Sequence, residues 1–236
     1  MMTCLLMLAA ATLSAGESVD DTARAEALVL GGTGRLGAPI VRLLVERGYA
    51  VTVFVRPTSN RGRLAGLDVS YVIGDLLNAD SVADALRGRQ FAVVIDATSR
   101  GSAGASFYDT AMRNVLAVLP EGSIDHFILH GSAGAGDNIA KFPQVPFGRM
   151  RDILLAKGRA EALLVASGVE YTIIRNGVIR PDGTPASGTA RLTADDSVLG
   201  TVSRLDLAVL TMQCLDNPDC RNRTFHAVDD GDGPVP

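Results

Sequence analysis

"ALVLGGTGRLGAPIVRLL" runs from Ala27 to Leu44. Glu26 to Leu30 reads as a strand, apolar without alternation, as expected of a parallel strand covered on both faces. Four glycines within seven residues then interrupt the chain: Gly31, Gly32, Gly34 and Gly37. Beyond them Leu36, Ile40, Leu43 and Leu44 share one helical face, and Gly48 supplies the stop signal. A strand that turns directly into a helix through glycines brings bare backbone N–H groups to the helix N-terminus. Those donors and the positive end of the helix dipole favour a phosphate. In the spacing Gly31-x-x-Gly34-x-x-Gly37, Gly31 is expected to make the tight turn. Gly34 is expected to let a pyrophosphate approach, and Gly37 to allow close helix–strand contact. The whole turn, Gly31, Gly32, Thr33, Gly34, Arg35, Leu36 and Gly37, is the expected cofactor-binding segment. A merely structural tight turn is the bland alternative.

The rest of the chain repeats the alternation. Val51 to Val55 and Val69 to Asp75 read as strands, and a short helix is expected from Ser81. A fourth strand ends near Asp96, a helix runs from Phe107 to Leu119, and a fifth strand ends at Ser132. The helix Asp152 to Ser167 is closed by Gly168, and Tyr171 to Arg175 is the sixth strand. This order predicts an α/β fold: a doubly wound, mostly parallel Rossmann-type sheet with helices on both faces. Two long irregular stretches, "SAGAGDNIAKFPQVPFG" and "NGVIRPDGTPASGTA", follow strands, which puts them at the carboxyl end of the sheet, where ligands bind. "SRLD" (Ser203 to Asp206) reads as a capping box opening a last helix through Leu215. The expected division is a leader over 1–25, one NAD(P)-binding domain over 26–228 and a loose tail over 229–236.

With 236 residues, 47% of them hydrophobic and 20% charged, the chain has the composition of one folded α/β domain. Its formal net charge of −4 gives no electrostatic footprint for nucleic acid or an anionic membrane. Three histidines and three cysteines, none in metal-ligand spacing, argue against a metal site. His126 and His130 are expected to be a partner pair on the sheet. The apolar run Cys4 to Gly16 suits the core of a secretory signal but is too short for a spanning helix, and no Lys or Arg precedes it. Two readings stand: an exported, periplasmic chain, or a cytoplasmic one with an uncleaved leader. An oxidising compartment would let Cys214 and Cys220 close a short loop, and a reducing one would leave them as two ordinary thiols. Oligomeric state is not legible.

Cofactor choice is read at the end of the second strand. An NAD site puts an acidic residue there to hold the ribose hydroxyls. This chain has Arg56, followed by Arg61 and Arg63, and Arg35 lies inside the turn. Guanidinium groups grip a 2′-phosphate through paired, charge-assisted hydrogen bonds, so NADP is expected over NAD. A solvated loop is the alternative for these arginines, although it leaves the missing carboxylate unexplained.

"GGTGRLG", "VFVR", "GDL" (Gly74 to Leu76), "LLAKGRAEALLVASGVEYTIIRNG" and "VSRLDLAVL" together resemble the atypical short-chain dehydrogenase/reductases, the NmrA-like, NAD(P)H-binding group that includes flavin and biliverdin reductases. The resemblance spans roughly Ala27 to Val228. It implies that Asp75 and Leu76 contact the adenine and that Ala97, Thr98 and Ser99 contact the riboses. It further implies that Ser132 lies beside the nicotinamide and that Lys157 bonds its ribose. The pattern departs from carbonyl-reducing members at one point. Where they carry a tyrosine four residues before the lysine, as proton donor, this chain has Ile153. Tyr108 and Tyr171 are the nearest substitutes: Tyr171 is expected to pack in its strand, while Tyr108 either faces the site or, as a helix-start aromatic, packs in the core. Two readings follow. One is a reductase passing hydride from NADPH to a small acceptor of flavin or quinone type, with Ser132 donating to the acceptor, Lys157 holding the cofactor and Glu161 either pairing with Lys157 or lying on the surface. The other is a non-catalytic NADP(H)-binding sensor or scaffold.

Overall fold

The computed structural model describes residues 24–99, 104–229 and 231. Residues 1–23 of the expected leader, with its apolar run Cys4 to Gly16, lie outside them, as do 230 and 232–236 of the expected tail. Strand β1 (Glu26–Leu30) is central and shows why an unbroken apolar run was needed. Ala27 and Val29 point into one core, while Leu28 and Leu30 point into the other, all four fully or almost fully buried. Helix α1 (Gly37–Glu46) covers the first face with Ile40, Val41 and Leu44, and α5 (Arg204–Asp216) joins it through Leu207 and Leu210. The second face is covered by α2 (Ala79–Leu86), α3 (Phe107–Val118) and α4 (Arg151–Val165), which contribute Val82, Leu86, Met112, Val115 and Leu164. Burying each such side chain contributes about 1.5–3 kcal/mol, so both faces are needed to hold the sheet.

Strands β2 (Ala50–Val55), β3 (Val69–Ile73), β4 (Val93–Asp96), β5 (Phe127–Ser132) and β6 (Tyr171–Asn176) pair in parallel around β1. The eight-stranded sheet has the order β3-β2-β1-β4-β5-β6-β10-β8, so the doubly wound, mostly parallel architecture read from the alternation is the one observed. The order reverses between β1 and β4. Leu30 lies opposite both Phe54 and Asp96, which brings the carboxyl ends of three strands to one edge.

Four strands escaped the sequence reading. β7 (Val178–Ile179) and β9 (Thr201–Val202) form a two-stranded parallel pair, and β7 lies inside a stretch expected to be irregular. β8 (Ala190–Thr193) pairs antiparallel with β10 (Arg223–Asp229), which lies parallel to β6. β10 alternates Phe225 and Ala227, which enter the α1/α5 core, with His226, and so carries no continuous apolar signal. Asp229, expected to start a loose tail, is instead the buried last residue of β10 and pairs with Arg180 at 3.0 Å. The expected N-cap is present: Ser203 Oγ accepts from the Asp206 amide at 3.0 Å, while Asp206 Oδ2 accepts from the Ser203 hydroxyl at 2.7 Å rather than from its backbone N–H. Cys214 of α5 and Cys220 form a disulfide with their Cα atoms 5.4 Å apart.

Candidate cofactor and active site

The glycine turn divides its labour between packing and opening. Gly31 has φ +74°, and a Cβ there would strike the Ala97 carbonyl, so the turn needs glycine on both counts. A Cβ on Gly37 would collide with the Gly31 carbonyl oxygen and the Gly32 backbone, which is the close helix–strand approach expected of it. Gly32 is buried against Val53, Val41 and Val29. The α1 N-terminus has neither a side-chain cap nor an acidic residue in its first turn, which leaves its positive end for an outside anion.

Beside the turn, where the strand order reverses, lies a cavity of about 220 Å³. Its walls bring together Gly31, Thr33, Gly34, Arg56, Asp75, Leu76, Ala97, Thr98 and Ser99 from the sequence-named set, with residues such as Ser59 and Phe107 added. The Arg56 amide donates to Ser59 Oγ at 3.1 Å, which fixes the loop after β2. Leu76 is held by Asn114 of α3, whose side-chain nitrogen donates to its carbonyl at 2.8 Å. No carboxylate stands at the end of β2, and the exposed Arg56 takes that place.

Other predicted residues stand apart from this cavity. Arg35 turns away to Asp182, with Nε 2.8 Å from Oδ2. Leu36 packs against the α1/α5 core, and Gly32 and Gly37 serve the packing just described. Arg61 lies over the Tyr71 ring at 4.4 Å, and Arg63 reaches only the Thr33 carbonyl at 3.5 Å. Of the three arginines after β2, Arg56 alone lines the cavity. The other two are carried away by the 3-10 turn Gly62–Leu64, started by the Asn60 side chain accepting from the Gly62 amide.

At the end of β5 a second group assembles. Lys157 of α4 donates from Nζ to Ser132 Oγ at 2.9 Å and approaches the Gly131 carbonyl at 3.5 Å. Its ammonium also sits 5.0 Å from the centre of the Tyr108 ring, and Tyr108 packs against the α2–α4 core as well. Tyr171 packs in the core facing α2–α4, and Ile153, where a tyrosine was sought, is buried. Glu161 is neither a surface residue nor a direct partner of Lys157: it is 4% exposed and forms a bidentate pair with Arg175, 2.7 Å at its shortest. The histidines do not pair with each other. His126 Nε2 meets Thr172 Oγ1 at 2.8 Å, while His130 Nε2 meets Thr211 Oγ1 at 2.9 Å.

Sequence reasoning missed the ionic floor of this region. Asp96 ends β4 and accepts from the Thr98 amide at 2.8 Å. Burial pushes its carboxyl upward, opposed by the bonds from Thr98 and by Lys157. Burial pushes the Lys157 ammonium down, opposed by Asp96 and Glu161. Burial also raises Glu161, against the pull of Arg175. A small cavity of about 10 Å³ lies among Asp96, Thr98, Tyr108, Lys157 and Glu161, so Thr98 borders both this group and the cavity beside the glycine turn. The one signal available in the sequence was Asp96, a carboxylate closing an apolar strand.

Among the described residues no group of three or more His, Cys, Asp or Glu is placed to hold a metal, and no helix is long and apolar enough to cross a membrane.

Comparison with known proteins places this geometry. The chain is 29% identical over 212 residues to the photosystem II assembly factor Ycf39 of Cyanophora paradoxa, covering 85% of this chain and 62% of that one. It therefore spans less than two thirds of that relative. It is 26% identical over 250 residues to sanguinarine reductase of Eschscholzia californica, covering 87% and 89%. Among solved structures, ChuY, an anaerobilin reductase of Escherichia coli O157:H7, superposes with a TM-score of 0.75 at 22% identity, covering 89% of this chain and 100% of that one. A family model described as NAD(P)H-binding matches residues 31–218, and the chain belongs to that family.

Proposed function

We propose that this member of the NAD(P)H-binding family is an NADPH-dependent reductase acting on a small conjugated acceptor of flavin or quinone type. The single observation that carries the reading is the pairing of a cavity beside the glycine turn, edged by Arg56, with a Ser132–Lys157 contact of 2.9 Å at the same edge of the sheet. The residues present fit the nucleotide. Gly34 and the uncapped start of α1 would receive the diphosphate, Asp75 and Leu76 would flank the adenine, and Ala97 and Thr98 would line the ribose. Arg56 and Ser59 are the groups for a 2′-phosphate, which a carboxylate in their place would repel.

When bound, the nicotinamide nucleotide supplies the hydride. The chain's residues orient the acceptor and manage its proton. Because Lys157 donates to Ser132 Oγ, the Ser132 hydroxyl proton is free to point at an acceptor atom. Ser132 thereby stands in for the absent tyrosine as hydrogen-bond donor, and Lys157 compensates charge that develops there. The reductase names among the relatives, acting on sanguinarine and on anaerobilin, support a conjugated acceptor.

NADPH oxidation with FMN and a soluble quinone tests the proposal. Acceptor-dependent turnover is expected, lowered about 100-fold or more in Ser132→Ala. Arg56→Ala is expected to weaken NADPH binding about tenfold or more while sparing NADH. A second reading, cofactor binding without turnover, is favoured by one observation, the buried Ile153 one turn before Lys157. Tight NADPH binding with no oxidation by any acceptor selects it.

A further inference from the structure

On the other side of the glycine turn, a second cavity of about 390 Å³ opens between the start of α1, the loop after β7 and the start of α5. Arg35, Arg42, Arg63 and Arg204 line it, and Asp182 is its only acidic lining residue. Four guanidinium charges against one carboxylate leave a net +3 there, in a chain whose formal net charge is −4. Both oxygens of Asp182 are already engaged, Oδ2 by Arg35 Nε at 2.8 Å and Oδ1 by Arg204 Nη1 at 2.9 Å. The carboxylate thus orders two of the arginines and leaves the charge of Arg42 and Arg63 unbalanced. Arg42 is exposed on α1, and the reach of Arg63 to the Thr33 carbonyl is long.

Like charges gathered around one concavity raise the energy of the empty site and are relieved by an anion. Guanidinium forks match the oxygen pairs of phosphates and carboxylates. The volume falls within the range of small-molecule sites, about 300–1,000 Å³. We propose that this cavity is a second anion site, separate from the nucleotide cavity. Its ligand is a compact small molecule with at least two negative charges on phosphate or carboxylate oxygens. Arg42 and Arg204 grip it from two helices, while Arg35 and Arg63 close the side nearest the glycine turn.

Calorimetric titration of the full chain with inorganic pyrophosphate, and separately with citrate, tests the site at low ionic strength, with and without saturating NADPH. One-to-one binding that persists under saturating NADPH is expected for at least one probe, and whichever binds more tightly identifies the oxygen type. Arg42→Gln, a change at an exposed helical residue outside the nucleotide cavity, is expected to weaken that binding by about tenfold or more and to leave NADPH affinity unchanged. Amide shifts with pyrophosphate or citrate should map to residues 35–42 and 181–205, a readout independent of any variant. Loss of all binding once NADPH is present overturns the proposal, as does equal binding by the Arg42→Gln protein. If the chain bound no NADPH at all, the comparison of wild type with Arg42→Gln would still decide the matter.

Discussion

His126 offers a quantitative test of how the fold treats a buried ionisable group. Its Nε2 lies 2.8 Å from Thr172 Oγ1, and the Thr172 hydroxyl donates its own proton to the Cys220 carbonyl at 2.7 Å. Thr172 can therefore only accept from the ring, so the imidazole is neutral with its proton on Nε2. The other ring nitrogen, Nδ1, is buried without a partner, and a second proton there would meet no acceptor. Burial, with Arg221 nearby, lowers the pKa from 6.5 to about 3. The unfolded chain takes up a proton below pH 6.5 that the fold refuses until about pH 3. Stability is thus lost as pH falls through that window, at about 1.4 kcal/mol per pH unit. Between about pH 7 and pH 4.5 the loss attributable to this residue is about 2.5 kcal/mol. His126→Gln keeps an N–H for Thr172 and does not titrate. Urea unfolding of both oxidised proteins at the two pH values should show the wild type losing about 2.5 kcal/mol more than the variant. His130, whose burial lowers it to about 4, is present in both proteins and cancels from the difference. A difference below about 1 kcal/mol, or a His126 resonance titrating near its ordinary pKa, would refute the reasoning.

Gly37→Ala forces a methyl group into the Gly31 carbonyl and should destabilise by about 1–3 kcal/mol, read by denaturant unfolding, with NADPH affinity falling alongside. Cys214 and Cys220 are six residues apart, so their bond closes a short loop, and Cys214→Ser with Cys220→Ser should cost about 2 kcal/mol in the same assay. The intact mass of untreated protein from its native cell should be lower by two hydrogens than after reduction, and an unchanged mass would show the thiols to be free there.

The elements legible in the sequence were those whose signal is local. β1, the glycine turn and α1 could be read because an unbroken apolar run, fixed glycine spacing and a helical stripe each state one requirement of the same corner. The boundaries held to within a few residues: the strand expected to reach Asp75 ends at Ile73, and the helix expected from Ser81 begins at Ala79, capped by Asn78. What could not be read depends on partners far along the chain. β8 is a strand only because β10 lies beside it, and the Glu161–Arg175 pair exists only once α4 has docked on β6. Arg35 shows the same limit. Its position inside the turn suggested a cofactor contact, whereas Asp182, 147 residues later, draws it elsewhere. Side chains long enough to choose among partners cannot be aimed from sequence spacing.

β10 sits between β6 and β8, although it is the last described strand to be synthesised. As the polypeptide leaves the ribosome, residues 190–193 emerge before β10, the described strand that pairs with them. Until residues 223–229 arrive, β6 is a raw parallel edge, open to any extended segment that meets it. Vectorial synthesis therefore cannot finish this domain piece by piece: one late insertion both covers that edge and recruits the antiparallel strand beyond it.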